Sequence, residues 1–221
     1  MITEYYTNIL IVLFLFFLVF GFAEFLYRKK IDSHITRKVV HIGGGLVAAS
    51  LPLFVDLKTV IILGIGFFLL LVFSKKKKIL DSIHKIDEDS IGALLFAPSI
   101  TLTALIFWPI NTLIFQGAAL VLGVSDGFAG LIGRKYGRNK YQITGTKSLE
   151  GSLSFFLITF FILFVVLYIN GSFTPDKIFL MLGCSFLLTA VEAMFGRGWD
   201  NIFIPLASGI ILYFILLKYI L

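Results

Sequence analysis

Residues 8–27 read NILIVLFLFFLVFGFAEFLY, twenty positions with a single charge at Glu24. Roughly 20 apolar residues in a helix cross the hydrocarbon core of a bilayer, so this stretch reads as a membrane span. No positively charged leader precedes it, since the chain opens Met1-Ile2-Thr3-Glu4, and it is expected to be retained rather than cleaved as a signal. Working outward, comparable apolar stretches recur at about 38–55, 59–74, 91–108, 110–133, 151–169, 178–195 and 202–219. The chain therefore reads as an all-α, polytopic transmembrane helical bundle of about eight spans, a single integral membrane domain over 1–221. Pro98 is expected to kink the fourth span, because proline lacks an amide donor and crowds the preceding turn.

Composition agrees. Of 221 residues 58% are hydrophobic and 14% charged, against roughly 25% charged in a soluble domain. That balance excludes an ordinary water-soluble globule, a disordered chain and a nucleic-acid binder. Cys184 is the single cysteine, so no intrachain disulfide exists. No repeat recurs at a fixed period, and residues 79–90 are polar enough for a short surface helix leading into the fourth span.

Charge sets the orientation. With the N-terminus outside, alternation puts Arg28, Lys29, Lys30, Arg37, Lys38, Lys75–Lys78, Lys85, Arg134, Lys135, Arg138, Lys140, Lys147 and Arg197 on the cytoplasmic side, 16 of the 19 basic residues. Only Lys58, Lys177 and Lys218 remain outside, the bias that the positive-inside rule demands. Ten of the 13 acidic residues lie on the same side, so any polar site is expected to face the cytoplasm.

Four polar features stand out, because ionisable groups in membrane helices are costly unless paired or hydrated. Arg37 and His41 enter the second span four residues apart and share a helical face, followed by Gly43-Gly44-Gly45. Gly43-x-Gly45-x-x-Ala48 matches a dinucleotide fingerprint only formally, since no strand precedes it. Asp126, Gly130 and Arg134 share a face of the fifth span, with small residues around the carboxylate. The loop at about 134–150 spaces Arg134, Lys135, Arg138, Lys140, Lys147, Ser148 and Glu150 among glycines. Flexible backbone with cations suits polyphosphate, although such a loop also suits anionic lipid, and Gly145-Thr146-Lys147-Ser148 is not a Walker motif. Glu192 lies about one turn inside the seventh span. Asp200-Asn201 can cap the eighth. Carboxylates at this level beside a basic loop suggest Mg²⁺ held by one or two carboxylates and phosphate oxygens. His34 and His84 read as solvent-facing.

The ordered set Arg37-Lys38-x-x-His41, Asp126-x-x-Ala129-x-x-x-Gly133-Arg134-x-x-Gly137, Lys147-Ser148-x-Glu150-Gly151-Ser152, and Glu192 with Asp200-Asn201 and Pro205 resembles the polyprenol kinase family. These are membrane lipid-alcohol kinases that include dolichol kinase, phytol kinase and the CTP-dependent diacylglycerol kinase of yeast type. The resemblance runs from Arg37 to Pro205. It implies transfer of the terminal phosphoryl group of a nucleoside triphosphate, usually CTP, to the hydroxyl of a long-chain lipid alcohol. Arg37, Lys38, Arg134, Lys135, Lys147, Ser148 and Glu150 would then bind nucleotide. Asp126, Glu192 and Asp200 would hold Mg²⁺. Asp126, His41 and Lys147 would be catalytic, with either Asp126 or His41 taking the alcohol proton. Two rival readings are a cytidylyltransferase that forms a CDP-lipid and a small transporter. Transporters place their sites near the midplane, whereas these charges gather at one face. Oligomeric state stays open.

Overall fold

Alternating hydrophobic rods and short polar connections leave the chain few ways to fold other than up and down. A computed structural model describes residues 2–77 and 91–217. Helices α1 (Ile2–Arg28), α2 (Ser33–Ser50), α3 (Leu57–Lys77) and α4 (Gly92–Phe107) come first. Next is one rod made of α5 (Thr112–Leu120), a π-helical turn (Val121–Ser125) and α6 (Asp126–Tyr136), then α7 (Leu149–Ile169), α8 (Lys177–Met194) and α9 (Asp200–Leu217). The eight rods coincide with the eight apolar stretches. Six of them are long and apolar enough to cross a membrane. Of the other two, α4 has 16 residues, and α2 carries Arg37, Lys38 and His41 in its first turns. The expected surface helix at 79–90 lies outside the described residues, as do Lys78, Lys85, His84 and Lys218.

Local chemistry sets the ends. Asp32 caps α2 by accepting the His34 amide, and Asn111 caps α5 through Leu113. Asp56 accepts both the amide and the hydroxyl of Thr59 at the start of α3. Pro98 sits inside α4 without ending it. Helices of this kind gain little from excluding water against lipid, so small residues and interhelical hydrogen bonds carry the packing. Gly45 of α2 and Gly123 of the π turn approach so closely that a β-carbon on either would strike the other's backbone. Gln116 donates to the Ala49 carbonyl at 2.8 Å, and the Thr159 hydroxyl to that of Ser125 at 2.9 Å. Phe115, Ile114, Leu122, Phe155, Leu163 and Leu212 fill the centre and are fully buried.

The basic loop between the fifth and sixth rods contains a structure that the sequence reading left as flexible chain. Strands β1 (Lys140–Gln142) and β2 (Thr146–Ser148) form an antiparallel hairpin with Tyr141 opposite Lys147. Successive strand residues face opposite ways. Ser148 is therefore free to cap α7 by accepting the Gly151 amide at 3.1 Å, while Lys147 turns to the other side, toward α8.

Candidate active site

Two clusters of opposite charge sit at the end of the bundle where α2, α4, α7 and α9 begin and α6 and α8 end. The first joins α2 to the fifth rod. Lys38 Nζ donates to Asp126 Oδ2 at 2.7 Å and to the Asp126 carbonyl at 3.2 Å, and His41 Nε2 lies 3.1 Å from the same carboxylate oxygen. Gly130 makes this possible, because a β-carbon there would occupy the path of the Lys38 side chain. Asp126 is only 4% exposed, so its charge depends on these partners.

The π turn explains the position of His41. In an α-helix the Asp126 amide would bond to the Leu122 carbonyl, four residues back. Here it bonds to Val121 instead, and His41 Nε2 lies 2.9 Å from the Leu122 carbonyl. A carbonyl can only accept, so Nε2 carries the proton and the other ring nitrogen, Nδ1, is the one open to act as a base. The imidazole packs edge-on against Phe96 of α4. π turns of this kind recur at functional sites.

The second cluster joins the hairpin to α7, α8 and α9. Lys147 Nζ donates to Glu192 Oε1 at 2.6 Å and also to the Glu192 carbonyl, and it lies 3.7 Å from Asp200 Oδ2. The Ser152 hydroxyl donates to Glu192 Oε2 at 3.1 Å and is itself joined to the Tyr141 hydroxyl at 2.6 Å. Burial alone would pull the Lys147 ammonium down. The carboxylates of Glu192, Asp200 and Asp126 together outweigh it and hold its pKa above the ordinary 10.5. That Asp126 acts on Lys147 puts the two clusters within electrostatic reach of each other.

The remaining expected site residues divide. Arg37 reaches the start of α4, where a β-carbon on Gly92 would collide with its guanidinium. Arg134 pairs with Asp32 at 2.9 Å on the surface, both side chains about half exposed. Lys135 lies over the Tyr136 ring. Ser148 serves as the α7 cap, and Glu150 Oε1 accepts the Asn139 amide and side chain at 3.2 Å. The four thus lie in surface, capping and loop-tethering contacts: the hairpin orders the segment, burying the Ser148 cap on one side and turning Lys147 toward Glu192 on the other. Among the described residues no three His, Cys, Asp or Glu groups form a metal cage. Glu192 has both carboxylate oxygens engaged, whereas the Lys38 and His41 contacts of Asp126 both fall on Oδ2. Asp200, expected as a cap, stands in the first turn of α9 with Oδ1 receiving the Asn201 amide at 3.1 Å.

Sequence reasoning gave Asn201 no task beyond capping. Its amide nitrogen donates to the Gly92 carbonyl at 2.5 Å, tying the start of α9 to the start of α4. A left-handed turn brings it there: Arg197 and Gly198 have φ of 55° and 98°. Gly198 packs so tightly on Gly92 that no side chain fits.

A bundle of long apolar helices with lysine–carboxylate pairs under one face is the architecture of an integral membrane protein with a polar site at one end. The chain is 34% identical to phytol kinase of Synechocystis over 197 residues, covering 86% of this chain and 83% of that one. It is 28% identical to phytol kinase 1, chloroplastic, of Arabidopsis thaliana over 225 residues, covering 89% and 71%. A probable phytol kinase 3, chloroplastic, of Glycine max is 29% identical over 207 residues, covering 85% and 65%. The chain belongs to the polyprenol and phytol kinase family, the membrane lipid-alcohol kinases that the sequence resembles. No family model matches it, and no solved structure does.

Proposed function

We propose that this lipid-alcohol kinase moves the terminal phosphoryl group of CTP to the hydroxyl of a single-chain isoprenoid alcohol such as phytol, at the cytoplasmic face of its membrane. The relatives named as phytol kinases support the acceptor class. The CTP donor is an expectation of the family resemblance. The basic connections, which meet at the end where the two clusters lie, support the cytoplasmic placement through the positive-inside rule.

One observation carries the reading. Two lysines stand under the same face of the bundle, each with two of its three donors committed to a buried acidic residue. Lys38 bonds the carboxylate and carbonyl of Asp126, and Lys147 those of Glu192. Each then has a third N–H to offer to a phosphate oxygen. Phosphoryl transfer needs little covalent help from the protein and draws its rate from positioning and charge neutralisation, which is what a pair of fixed ammonium groups supplies. The carboxylates hold those ammonium groups aimed before substrate arrives.

Mg²⁺ keeps several waters and binds through one or two carboxylates plus phosphate oxygens, a donor set that Asp126 and Asp200 fit. When bound, it would neutralise charge on the phosphates. Glu192, with both oxygens engaged, holds Lys147 instead. His41 donates from Nε2 and fixes Asp126. Of the two candidates for the alcohol proton, Asp126 has the geometry of an acceptor beside the cluster, and His41 would act only through Nδ1.

The deciding experiment incubates purified protein with γ-labelled CTP, ATP, GTP and UTP and a panel of phytol, polyprenols and diacylglycerol. Label in the lipid with CTP and a single-chain alcohol supports the reading. A CDP-lipid and free pyrophosphate would show nucleotidyl transfer, and no labelled product with any pair would refute it.

A further inference from the structure

Beside the first cluster a cleft of about 870 Å³, part of it open to the outside, runs between the α1–α2 pair and the α3–α4 pair. Along α2 and into the short 3-10 turn after it, its wall is the stripe Arg37, His41, Gly44, Ala48 and Leu51, one helical face at spacings of three and four. Fourteen steps of 1.5 Å from Arg37 to Leu51 make this wall about 21 Å long, more than the roughly 15 Å of hydrocarbon in one leaflet. Opposite, Val60 to Leu71 of α3 form a parallel stripe.

The cleft is chemically lopsided. Arg37, His41 and Asn201 gather at the end where Gly92 begins α4, and almost everything deeper is hydrocarbon or aromatic. Among the described lining residues the one deeper hydroxyl, Thr101, donates to the Ala97 carbonyl of its own helix. Phe16 and Phe67, tilted against each other with centroids 4.4 Å apart, bridge α1 and α3 along its side. Small residues keep it wide: Gly44 and Ala48 on α2, Ala97 on α4. Leu51 and Val60, both nearly inaccessible, stand at the far end.

We propose that this cleft is the acceptor-chain site, holding one aliphatic chain with its hydroxyl at the Arg37–His41–Asn201 end and its tail toward Leu51 and Val60. The cleft then acts as a ruler for chain length. The occupant follows from continuity: His41 lines the cleft and contacts Asp126, so a hydroxyl at the mouth lies against the charged cluster while its chain stays in apolar surroundings. An amphiphile with one small polar head and one long tail matches that asymmetry. This rests on the lipid-alcohol kinase reading above.

The test separates the two. With wild-type enzyme and γ-labelled CTP, the kcat/KM for phytol is divided by that for a short prenol, and the ratio is measured again in Ala48→Phe and Ala97→Phe. Each phenyl ring fills the cleft beyond its mouth. The ratio should fall at least about tenfold, since a hydrophobic site registers each methylene it gains or loses, and Leu51→Ala should shift the preference toward longer chains. In parallel, a long-chain alcohol with a diazirine in its tail is photolysed with wild-type protein, and the expected label is on α2, α3 and α4. An unchanged ratio in both phenylalanine variants, or label confined to α7 and α8, overturns the assignment. Should a variant fail to fold, the photolabel on wild type decides. Wild type that phosphorylates no alcohol at all would instead refute the proposed function, and label on α2 and α3 would still identify a lipid site.

Discussion

Lys38 and Asp126, 88 positions apart, meet at 2.7 Å between α2 and the fifth rod, and the same carboxylate oxygen lies 3.1 Å from His41. The contact requires three separate permissions from the sequence. Gly45 and Gly123 let the helices touch, Gly130 clears the lysine's path, and the π turn releases the carbonyl that positions the imidazole. A carboxylate so enclosed is poor material for solubility or packing and well suited to holding a cation in place.

Asp126→Asn keeps the shape of the side chain and removes its charge, and Lys147→Ala removes the cation of the second cluster. Each is expected to lower kcat/KM for lipid phosphorylation by roughly 10²–10³-fold, while the protein still inserts and elutes as one species in detergent. Near wild-type turnover in both would sink the site assignment.

Lys147→Met leaves the Glu192 carboxylate buried with Ser152 as its remaining partner, and removing one member of such a pair costs about 3–5 kcal/mol. Adding Glu192→Gln takes away the stranded charge and should recover most of that loss. Thermal unfolding in detergent of the two single variants and the double variant measures the coupling. Losses that merely add would show that the pair is not energetically joined.

The pH dependence has a definite sign. Because Lys147 sits above the ordinary lysine value when folded, its contribution to stability is fully present below about pH 10.5 and disappears only as pH rises through the higher folded value. No alkaline loss of stability before about pH 10 is therefore expected from this group. In Glu192→Gln the largest of the charges that raise it is gone, so the alkaline limb should move to lower pH. Stability profiles of the two proteins read this directly, and coincident limbs would contradict it.

Arg134 and Asp32 offer a contrast. Their ion pair is about half exposed, and solvent screening leaves such pairs contributing little to stability. The Asp32 carboxyl is held below its ordinary value chiefly by the His34 amide, opposed by desolvation and aided by Arg134, so the α2 cap should outlast the loss of its partner. Arg134→Ala is expected to leave thermal stability nearly unchanged. If Arg134 also meets the triphosphate, the KM for nucleotide rises while the KM for alcohol does not, and an unchanged nucleotide KM removes it from the site.

Gly123→Ala places a methyl group against the Gly45 backbone. Overpacking of this kind costs about 1–3 kcal/mol, and here it also pushes α2 and its Lys38 away from Asp126. Activity should fall more than the unfolding midpoint suggests. A variant that loses stability with full activity would show that the close crossing serves packing alone.

The eight rods were legible because each is a long apolar run closed by polar or turn residues, a signal that lipid imposes on every span. Asp126, Lys38, His41, Lys147 and Glu192 were legible for the complementary reason: charge at that depth demands a partner. Which charge takes which partner was not. The reading grouped Asp126, Glu192 and Asp200 as one acidic set, whereas the fold gives Lys38 and His41 to Asp126, and Lys147 to Glu192. Pairings across 88 and 45 positions depend on helix rotation, which composition does not encode. The hairpin at 140–148 was hidden by its brevity, with only three residues in each strand. Asn201 carried a plausible local role as a cap, and nothing in its neighbours announced a contact with Gly92, 109 positions away.

The wide turn at Val121–Ser125 has an implication for how this site could arise or be lost. A π turn holds one residue more than the α-helical turn it replaces, so a single-codon deletion there would rewind the rod without disturbing either flank. The Leu122 carbonyl would return to the backbone ladder and the His41 ring would lose its acceptor. A plain membrane helix and one that seats the His41 ring are separated, at this position, by one amino acid of length.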